Sequence, residues 1–353
     1  MQGLVLAVDP GTQSTKIALF DGCRAVARHA ERNLDLSRAQ RVLDVLPART
    51  RMVRAFLDNA GVGSEALAAV VAPGGLLRPV GTGTYLVEDV MLRDIERSER
   101  GEHVANVGAP LARAIADDYG CPAFVVDPFS VDELDPVARF SGLSGVSRRS
   151  LCHALNLRAV ARRHAVAVQR SLEKMRLVVA HLGASASLAA LRDGRIVDVV
   201  SPAGEGPFSG SHCGAMPADA VVAMCFAAGA TADTVRGRLF RDGGLYSYLG
   251  TRDVREAEER AERGDGKAMV VLDAMAYQVA KSVGELAAAL GGEVDAVLLA
   301  GGAAHATAVV NGICRLVEWI APVFVYPGED ALSALAESAR RVLDGEEPVK
   351  HYA

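Results

Sequence analysis

The sequence lacks closely spaced cysteines and a strong excess of charge. Its six cysteines are widely scattered, with no CxxC spacing, so the chain carries neither a disulfide framework nor a zinc-binding cysteine motif. Lys and Arg total 38 and Asp and Glu total 43, which gives a net charge of −5. This mild acidity argues against binding of nucleic acid through bulk positive charge. We therefore expect reduced cysteines and no nucleic acid partner.

Long apolar runs are also missing. A membrane-spanning helix needs about 20 apolar residues, and no stretch of the chain reaches that length. The N-terminus has no basic segment, and its apolar run is too short for a secretory signal. Half of the residues are hydrophobic and 23% are charged, which is typical of a folded globular chain. The sequence thus predicts a cytoplasmic protein with no membrane partner.

The chain contains an internal repeat. Residues 5–22 have the sequence VLAVDPGTQSTKIALFDG, and residues 177–194 have the sequence LVVAHLGASASLAALRDG. Each contains an apolar strand, a turn of small residues, a second apolar strand and a DG turn, which predicts a β-hairpin meander. A second pair follows in the same order, because VVAPGG at 70–75 resembles LLAGG at 298–302. The alternative, two unrelated strand–turn units, stays open because such turns are common.

Helical patterns fill the gaps between the predicted strands. Apolar residues recur at steps of three or four from Leu272 to Leu290, which predicts one face of a helix that ends at the two glycines after it. Strands alternating with helices predict an α/β fold. The repeat predicts two similar lobes joined near 141–147, with an interdomain cleft as the preferred ligand site. Further predicted elements are helices over 104–119 and 151–172 and strands over 123–126 and 295–300.

The sequence has no Walker A motif and no GxGxxG motif, so a P-loop or simple dinucleotide-binding fold lacks its signature. Instead, DPGTQSTK at 9–16 predicts a hairpin turn whose N–H groups and hydroxyls can hold phosphate oxygens. Lys16 adds a cation, and Asp9 can hold a magnesium ion directly or through water. The repeat offers a similar turn at 183–187. A phosphate chain held by both turns predicts a two-lobed nucleotide kinase or ATPase.

Further motifs follow one another along nearly the whole chain. They are PGTQSTKIALFD at 10–21, GGLLRP at 74–79, GTYLV at 83–87, MLRD at 91–94, GEHVANVGA at 101–109, FVVDP at 124–128, HALNLRAVARR at 153–163, AHLGASAS at 180–187, GRIVDV at 194–199, GEGPFS at 204–209, YLGTRD at 248–253, AMAYQVAK at 274–281, LLAGGAA at 298–304 and APVFVYPGED at 321–330. With these motifs the chain resembles the butyrate kinase branch of the acetate kinase family, within the actin and sugar kinase superfamily.

The resemblance implies two ribonuclease-H-like lobes of the actin-like ATPase type, formed by duplication. It implies an N-terminal, substrate-side lobe over 1–146 and a C-terminal, nucleotide-side lobe over 147–327. Residues 328–353 are expected to form a C-terminal helix that packs back on the N-terminal lobe. The implied reaction is reversible transfer of the ATP γ-phosphoryl group to a short-chain fatty acid, with magnesium, giving ADP and an acyl phosphate. Because a carboxylic acid is already ionised at neutral pH, the site needs cations and oriented donors more than a general base.

The resemblance also assigns site residues. Asp127 is expected to face the reacting phosphate and magnesium, and Glu329 and Asp9 are the expected metal ligands, although the neighbouring Asp330 leaves the register at Glu329 open. The implied catalytic residues are Lys16, Asp127, His153, His181 and His212. The implied substrate-binding residues are Gly74, Gly75, His103 and Asn106. The implied nucleotide-binding residues are Gly11, Thr12, Ser14, Thr15, Gly183, Ser185, Ser187, Gly301 and Gly302.

Each assignment has a structural alternative. Asp127 can be a solvated turn aspartate before a proline. His153 and His181 can be histidines satisfied within the fold. His103 and Asn106 can cap the start of a helix. Gly301 and Gly302 can be required by the geometry of the turn alone.

Four departures from the family pattern fall within the expected site. Asp9 stands where the family usually has asparagine. Pro73 and His212 replace two family arginines, and Ala184 and Ser185 replace glycines. The arginine at the position of His212 is thought to stabilise the transferring phosphoryl group in the wider family, whereas a histidine with the usual pKa of about 6.5 is only partly protonated at neutral pH.

Three functions therefore stay open. The first, which we favour because so much of the remaining site is intact, is an active carboxylate kinase with an altered acid substrate or a weaker rate. The second is a catalytically impaired paralogue that binds nucleotide or acyl phosphate as a sensor or partner subunit. The third is a kinase of a hydroxyl substrate. Relatives in the family imply a homodimer or a larger homo-oligomer.

Overall fold

The computed structural model describes residues 3–12, 14–33, 41–328 and 330–353. The chain forms two compact units. Unit 1 contains the residues up to Asp132, together with Ala154–Asn156 and Asp330–Ala353. Unit 2 contains Glu133–His153 and Leu157–Glu329. Each unit combines a β-sheet with helices, so the predicted α/β class is confirmed.

The elements of unit 1 are labelled in chain order. Its strands are β1 (Leu4–Pro10), β2 (Ser14–Asp21), β3 (Arg24–Arg32), β4 (Leu67–Pro73), β5 (Thr84–Leu86) and β6 (Ala123–Val126). Its helices are α1 (Leu46–Asn59), α2 (Asp89–Arg97), α3 (Gly108–Tyr119) and, near the end of the chain, α11 (Ala331–Leu343). Short 3₁₀ helices lie at Val42–Val45 and Val104–Val107. Helix α4 (Ala154–Ala167) begins in unit 1 and continues in unit 2.

The elements of unit 2 follow the same numbering. Its strands are β7 (Arg176–Leu182), β8 (Ala186–Arg192), β9 (Arg195–Val200), β10 (Ala296–Gly301) and β11 (Val323–Pro327). Its helices are α5 (Ala218–Cys225), α6 (Ala232–Phe240), α7 (Gly244–Leu249), α8 (Val254–Glu262), α9 (Gly266–Ala289) and α10 (Thr307–Val317). Short 3₁₀ helices lie at Pro136–Arg139, Leu172–Lys174 and Gly302–His305.

The two sheets have matching strand orders. In the described part of unit 1 the order is β3-β2-β1-β4-β6-β5, and in that of unit 2 it is β11-β10-β7-β8-β9. The first three strands of each unit form an antiparallel meander. Two further strands lie parallel to the first strand of that meander, β4 and β6 in unit 1 and β10 and β11 in unit 2. Strand for strand, β3-β2-β1-β4-β6 therefore corresponds to β9-β8-β7-β10-β11. This correspondence confirms the duplication predicted from the sequence repeat.

The central strands of unit 1 are buried on both faces. Leu6 and Val8 of β1 belong to a core cluster that includes residues of α1 and α3. The intervening residues Val5 and Ala7 are also fully buried, and α11 packs against β1 and β4. Successive side chains of a strand point to opposite faces. Because both faces of such a strand are covered, its successive residues are apolar, which explains the continuous apolar run in the sequence.

Unit 2 is organised around α9, the helix predicted from the apolar periodicity. Its recurring apolar residues, including Leu272, Val279 and Leu286, are buried in the core cluster. Asp265 caps the helix and accepts hydrogen bonds from the backbone N–H groups of its first turn. The glycine pair that follows the helix has φ of +71° and +79°, a left-handed conformation that glycine adopts without strain.

Residues 133–153 belong to unit 2, although the predicted lobe boundary follows residue 146. Arg192 Nη2 donates to Asp135 Oδ2 at 2.7 Å. The Arg148 guanidinium donates to Asp198 Oδ1 at 3.0 Å and to both carboxylate oxygens of Glu205 at 3.1 and 3.2 Å. These ion pairs tie the segment to unit 2. The lobe limits inferred from the sequence stay predictions.

None of the helices in the described part of the chain combines the length and the apolar character that a bilayer crossing requires.

Candidate active site

The hairpin turn between β1 and β2 is closed by a residue that sequence reasoning missed. Asn33 Nδ2 donates to the carbonyl oxygens of Gly11 at 2.7 Å and Thr12 at 3.3 Å. The hydroxyl of Thr15, which is fully buried, donates to Asn33 Oδ1 at 2.9 Å. Thr15 is thus oriented to support the turn, and its role in nucleotide binding stays a prediction. No sequence motif marks Asn33, because it acts through the backbone of a distant turn.

The same hairpin brings Asp9 and Lys16 together. They are directly paired across β1 and β2, and both are half-buried. Directly opposed residues of an antiparallel pair share one face of the sheet. Ser14 lies on that face as well, two residues before Lys16. The hairpin therefore presents a carboxylate, an ammonium and a hydroxyl side by side, a set of groups suited to a phosphate and its cation.

The substrate-side candidates are also brought together in unit 1. Asn106 is 2% exposed, its Oδ1 accepts from Leu76 N at 2.8 Å, and its Nδ2 donates to the Gly101 carbonyl at 3.2 Å. A Cβ added to Gly75 would lie 1.9 Å from Asn106 Oδ1. A Cβ added to Gly74 would lie 2.5 Å from Val125 Cγ1. The glycines and Asn106 therefore form one tightly fitted loop.

His103 caps the 3₁₀ helix Val104–Val107. Its Nδ1 accepts from Ala105 N at 3.2 Å, and its ring stacks on Phe129 with centroids 4.9 Å apart. Phe129 N donates to the Gly74 carbonyl at 2.9 Å. The capping role considered as a structural alternative is thus present, and it places the imidazole beside the glycine loop. A role in substrate binding stays a prediction.

Asp127 follows β6 in an unusual backbone conformation. Its φ is +37°, in the left-handed region that is uncommon for non-glycine residues. Its Oδ1 accepts from Gly83 N at 2.7 Å, while its own N–H donates to the Gly83 carbonyl at 3.0 Å. The side chain is 4% exposed, so Asp127 is not the solvated turn aspartate of the structural alternative. Strained residues of this kind cluster at functional sites.

The topology of unit 1 places these groups at one edge of its sheet. Strands β1, β4 and β6 are parallel neighbours, and their carboxyl ends carry Asp9, Gly74 and Asp127 in turn. Ligands of open α/β sheets bind outside the carboxyl ends of the strands. The structure therefore assembles most of the predicted unit 1 candidates at the edge where such sites form.

In unit 2, His153 is held by two serines. Its Nδ1 lies 2.7 Å from Ser187 Oγ, and its Nε2 lies 3.2 Å from Ser185 Oγ. Ser187 is fully buried and is paired with His181 across β7 and β8. The rings of His153 and His181 are 4.6 Å apart between centroids. The structure thus brings four of the predicted site residues into one cluster around the turn at 183–185.

A second loop is attached to this turn through the Ala184 carbonyl oxygen. This oxygen accepts from Ser209 Oγ at 2.8 Å, from Ser211 Oγ at 3.1 Å and from Ser211 N at 3.2 Å. The loop continues into His212, whose Nδ1 lies 3.1 Å from Ser211 Oγ. His212 is therefore linked to the turn at 183–185 through Ser211. The two serines were missed because their partner is a backbone oxygen in another part of the chain.

Burial lowers the pKa of His212 below its usual value. Burial therefore favours the neutral form of the imidazole over the charged form. This refines the expectation from the sequence, in which His212 is partly protonated. Whether it takes over the role of a family arginine stays a prediction, as does the effect of Pro73, which ends β4.

Gly301, the last residue of β10, lies where no other side chain fits. Gly301 has a φ of +93°, and an added Cβ would lie 2.6 Å from the Leu182 carbonyl oxygen. Gly301 also exchanges two backbone hydrogen bonds with Gly328 at 3.0 Å. Gly302 is exposed, and an added Cβ would meet nothing within 4 Å. Gly301 thus allows β7 and β10 to approach closely, and only Gly302 faces open space.

A small hollow lies beside the turn at 183–185. Its lining is mainly apolar and comes from the turn, the 208–210 loop, α8, α9, α10 and the 3₁₀ helix after β10. The lining residues include Leu182, Ala186, Phe208, Val254, Met275, Val279, Ala303 and Val309.

Metal binding rests on few residues. Across the described residues, the structure contains no cluster of three or more His, Cys, Asp or Glu side chains arranged to hold a metal ion. The predicted ligand Glu329 lies outside the described residues, and Asp9 is the other candidate. Mg²⁺ is commonly held by one or two carboxylates completed by substrate phosphates and water. The donor present at Asp9 is therefore of the right chemical type.

Comparisons with known proteins agree with this geometry. The structure resembles that of an acetate kinase from Porphyromonas gingivalis, with a TM-score of 0.78, 18% identity and coverage of 97% of this chain and 100% of the other. It also resembles a propionate kinase from Francisella tularensis, with a TM-score of 0.74, 16% identity and coverage of 95% and 98%. The fold is therefore that of these acetate and propionate kinases.

The sequence comparisons are more specific. Residues 143–321 match the model of the acetokinase family. The chain is 40% identical over 350 residues to the probable butyrate kinase 2 of Caldanaerobacter subterraneus subsp. tengcongensis, with 99% of each chain covered. The chain belongs to the acetokinase family.

Proposed function

We propose that this protein is a carboxylate kinase that transfers the γ-phosphoryl group of ATP reversibly to a short-chain fatty acid of the butyrate type. The products are an acyl phosphate and ADP. The observation that carries this proposal is the 40% identity to a probable butyrate kinase over the whole chain. Family membership and the fold of acetate and propionate kinases support the same reaction class.

The chemistry needs little proton transfer. A short-chain carboxylic acid is ionised at neutral pH, so its oxygen can attack phosphorus without a general base. The new bond joins the carboxylate oxygen to the γ-phosphorus, and the bond between that phosphorus and the ADP oxygen breaks. Two anions must meet for this step, so the protein has to supply cations and oriented donors.

The unit 2 cluster can supply these donors. His153, His181 and His212 lie around the turn at 183–185, and Ser185 and Ser187 fix the ring of His153. We assign the three histidines to hydrogen bonding with the transferring phosphoryl group. Because burial lowers the pKa of His212, this position contributes a hydrogen bond without the fixed positive charge of an arginine.

We assign nucleotide binding mainly to the same unit. Gly183, Ser185 and Ser187 are proposed to hold the phosphate chain, and Gly301 and Gly302 to lie near the adenosine. The apolar side chains beside the turn support this placement, because the faces of an adenine ring are largely apolar. From unit 1, the turn residues Gly11, Thr12, Ser14 and Thr15 are proposed to contact the phosphate chain.

The remaining unit 1 residues are assigned to balancing phosphate charge and to binding the carboxylic acid. Lys16 is proposed to balance phosphate charge, and Asp9 to hold magnesium together with Glu329. A bound magnesium ion would neutralise phosphate charge during transfer. Asp127 is proposed to orient the reacting groups. The loop formed by Gly74, Gly75, His103 and Asn106 is proposed to bind the carboxylic acid.

Two further properties belong to the proposal. All six cysteines are free thiols, which fits a reducing, cytoplasmic compartment. We also propose a homodimer or a larger homo-oligomer, which light scattering during size-exclusion chromatography would measure directly.

The decisive experiment is a hydroxamate-trapping assay with magnesium and ATP over a series of acids from acetate to hexanoate. We expect hydroxamate to form and to peak near butyrate. ADP binding is measured by calorimetry on the same sample. Binding of ADP without hydroxamate from any acid would favour the catalytically impaired alternative. Hydroxamate only with acetate would contradict the butyrate assignment but keep the reaction class.

A further inference from the structure

Three consecutive backbone N–H groups in the loop after β4 are each held by a side-chain oxygen. The three acceptors come from different parts of unit 1. The donor and acceptor pairs are Leu76 N to Asn106 Oδ1 at 2.8 Å, Leu77 N to Ser130 Oγ at 3.1 Å and Arg78 N to Tyr352 Oη at 2.8 Å.

These bonds determine the shape of the loop. Residues 74–79 form no helix or strand, so their N–H groups cannot be satisfied by regular secondary structure. A backbone N–H group shielded from water without a partner is costly. Besides the backbone bond from Leu77 N to the Gly75 carbonyl at 3.1 Å, the three side chains therefore stabilise the conformation of the loop. Two of its residues, Gly74 and Gly75, are proposed above to bind the substrate.

Tyr352 is the most remote of the three acceptors. Its side chain is buried, and its hydroxyl donates to Asp94 Oδ2 at 2.9 Å while accepting from Arg78 N. Arg78 Nε in turn lies 2.7 Å from the same Asp94 oxygen, and its guanidinium lies 5.6 Å from the centre of the Tyr352 ring. Burial raises the pKa of Tyr352 to about 12, so the hydroxyl keeps its proton at neutral pH.

The backbone beside Tyr352 is fixed independently of this hydroxyl. Lys350 N donates to the Thr84 carbonyl at 2.8 Å, and Leu86 N donates to the Lys350 carbonyl at 2.9 Å. Tyr352 N donates to Glu88 Oε2 at 3.2 Å. Residues 350–352 therefore lie beside β5 as a short additional strand would, and they fix the position of the Tyr352 ring. A phenylalanine can occupy the same space, but it can neither accept from Arg78 nor donate to the carboxylate.

We propose that Tyr352 is a positioning residue for carboxylate binding, because its hydroxyl holds one end of the loop whose other end carries Gly74 and Gly75. The inference rests on the proposed carboxylate kinase function. In the proposed role, Tyr352 does not contact the carboxylic acid itself. It acts through Arg78, and Asn106 acts in the same way from the other end.

The test compares Tyr352→Phe with the wild-type protein. We expect the KM for the preferred acid to rise about fivefold to tenfold, which corresponds to about one lost hydrogen bond. The kcat and the KM for ATP should stay within about twofold, because the change is confined to the acid-binding loop. Tyr119→Phe is the matched control, since that tyrosine lies at the end of α3, outside the site.

A second measurement follows the loop itself. Hydrogen–deuterium exchange of a peptide covering 74–79 should be faster in Tyr352→Phe and unchanged in Tyr119→Phe. Asp94→Asn keeps the tyrosine but removes the charge that holds both its hydroxyl and the Arg78 guanidinium, so it should change the exchange and the KM in the same direction and by at least as much.

The outcomes separate this inference from the proposed function. A wild-type protein that forms no acyl phosphate from any acid would overturn both. A wild-type protein that is active, together with an unchanged KM for the acid in Tyr352→Phe, would overturn the inference alone. A lower melting temperature with unchanged exchange at 74–79, or an equal rise in the KM for ATP, would show a general structural role and would also overturn it.

Discussion

Replacing Gly75 by alanine is the sharpest test of the loop geometry in unit 1. The added Cβ would lie 1.9 Å from Asn106 Oδ1 and 2.5 Å from Asn106 N. Both distances are far below van der Waals contact, and the amide is almost fully buried. Asn106 cannot move without losing its hydrogen bonds to Leu76 N and to the Gly101 carbonyl.

The expected cost follows from these contacts. Two broken hydrogen bonds that leave buried groups unsatisfied cost about 2–3 kcal/mol, and overpacking adds about 1–3 kcal/mol. We therefore expect Gly75→Ala to destabilise unit 1 by about 3–6 kcal/mol. For a unit of this size, the apparent melting temperature should fall by roughly 10 °C. Binding of the acid should weaken as well, because the loop is displaced.

The measurement is differential scanning calorimetry, with kinetics over a series of acid concentrations. Gly63→Ala is the control, because an added Cβ there meets nothing within 4 Å and its φ is not in the left-handed range. That variant should be as stable as the wild type or slightly more stable. A loss of less than about 1 kcal/mol in Gly75→Ala would refute the argument from the Asn106 contact.

Three further outcomes are expected. Asp127→Asn keeps the oxygen that accepts the backbone N–H but loses the charge, so kcat should fall about 100-fold with little change in melting temperature. A change below threefold would argue against its role at the phosphate. His212→Arg should increase the rate of acyl phosphate formation about tenfold if a cation is missing, and no gain would indicate a site built for a neutral donor. Burial lowers the pKa of both His212 and His164. The neutral forms of these histidines therefore stabilise the folded protein above the unfolded pKa of about 6.5, and this stability is lost as the pH falls below that value. Melting temperatures measured between pH 7.5 and 5.5 should show this loss, and His164→Gln should reduce it.

Local sequence patterns predicted the elements that depend on local chemistry. The strand predicted over 123–126 coincides with β6, because four buried apolar residues stand between Pro122 and Asp127. The helix predicted over 104–119 is present as α3, except that its first turn is a 3₁₀ helix capped by His103. The duplication could be inferred because the strands, turns and glycines of the two halves recur in the same order.

Tertiary contacts explain what the patterns missed. The helix predicted over 151–172 begins only at Ala154, because His153 leaves the helical conformation and its N–H donates to Ser187, 34 residues away. The roles of Asn33 and Ser209 depend on carbonyl oxygens of distant turns, so no spacing in the sequence could show them. The lowered pKa of His212 depends on burial, which only the folded chain provides.

The order of the two units along the chain has a consequence for synthesis on the ribosome. The sheet of unit 1 starts at β1, yet its covering helix α11 and the residues that pair with β5 come after all of unit 2. The first sheet thus stays uncovered on one face for the time that translation of unit 2 and of the residues after it takes. The half that is translated first is completed last, and during that interval its apolar strands depend on protection from aggregation.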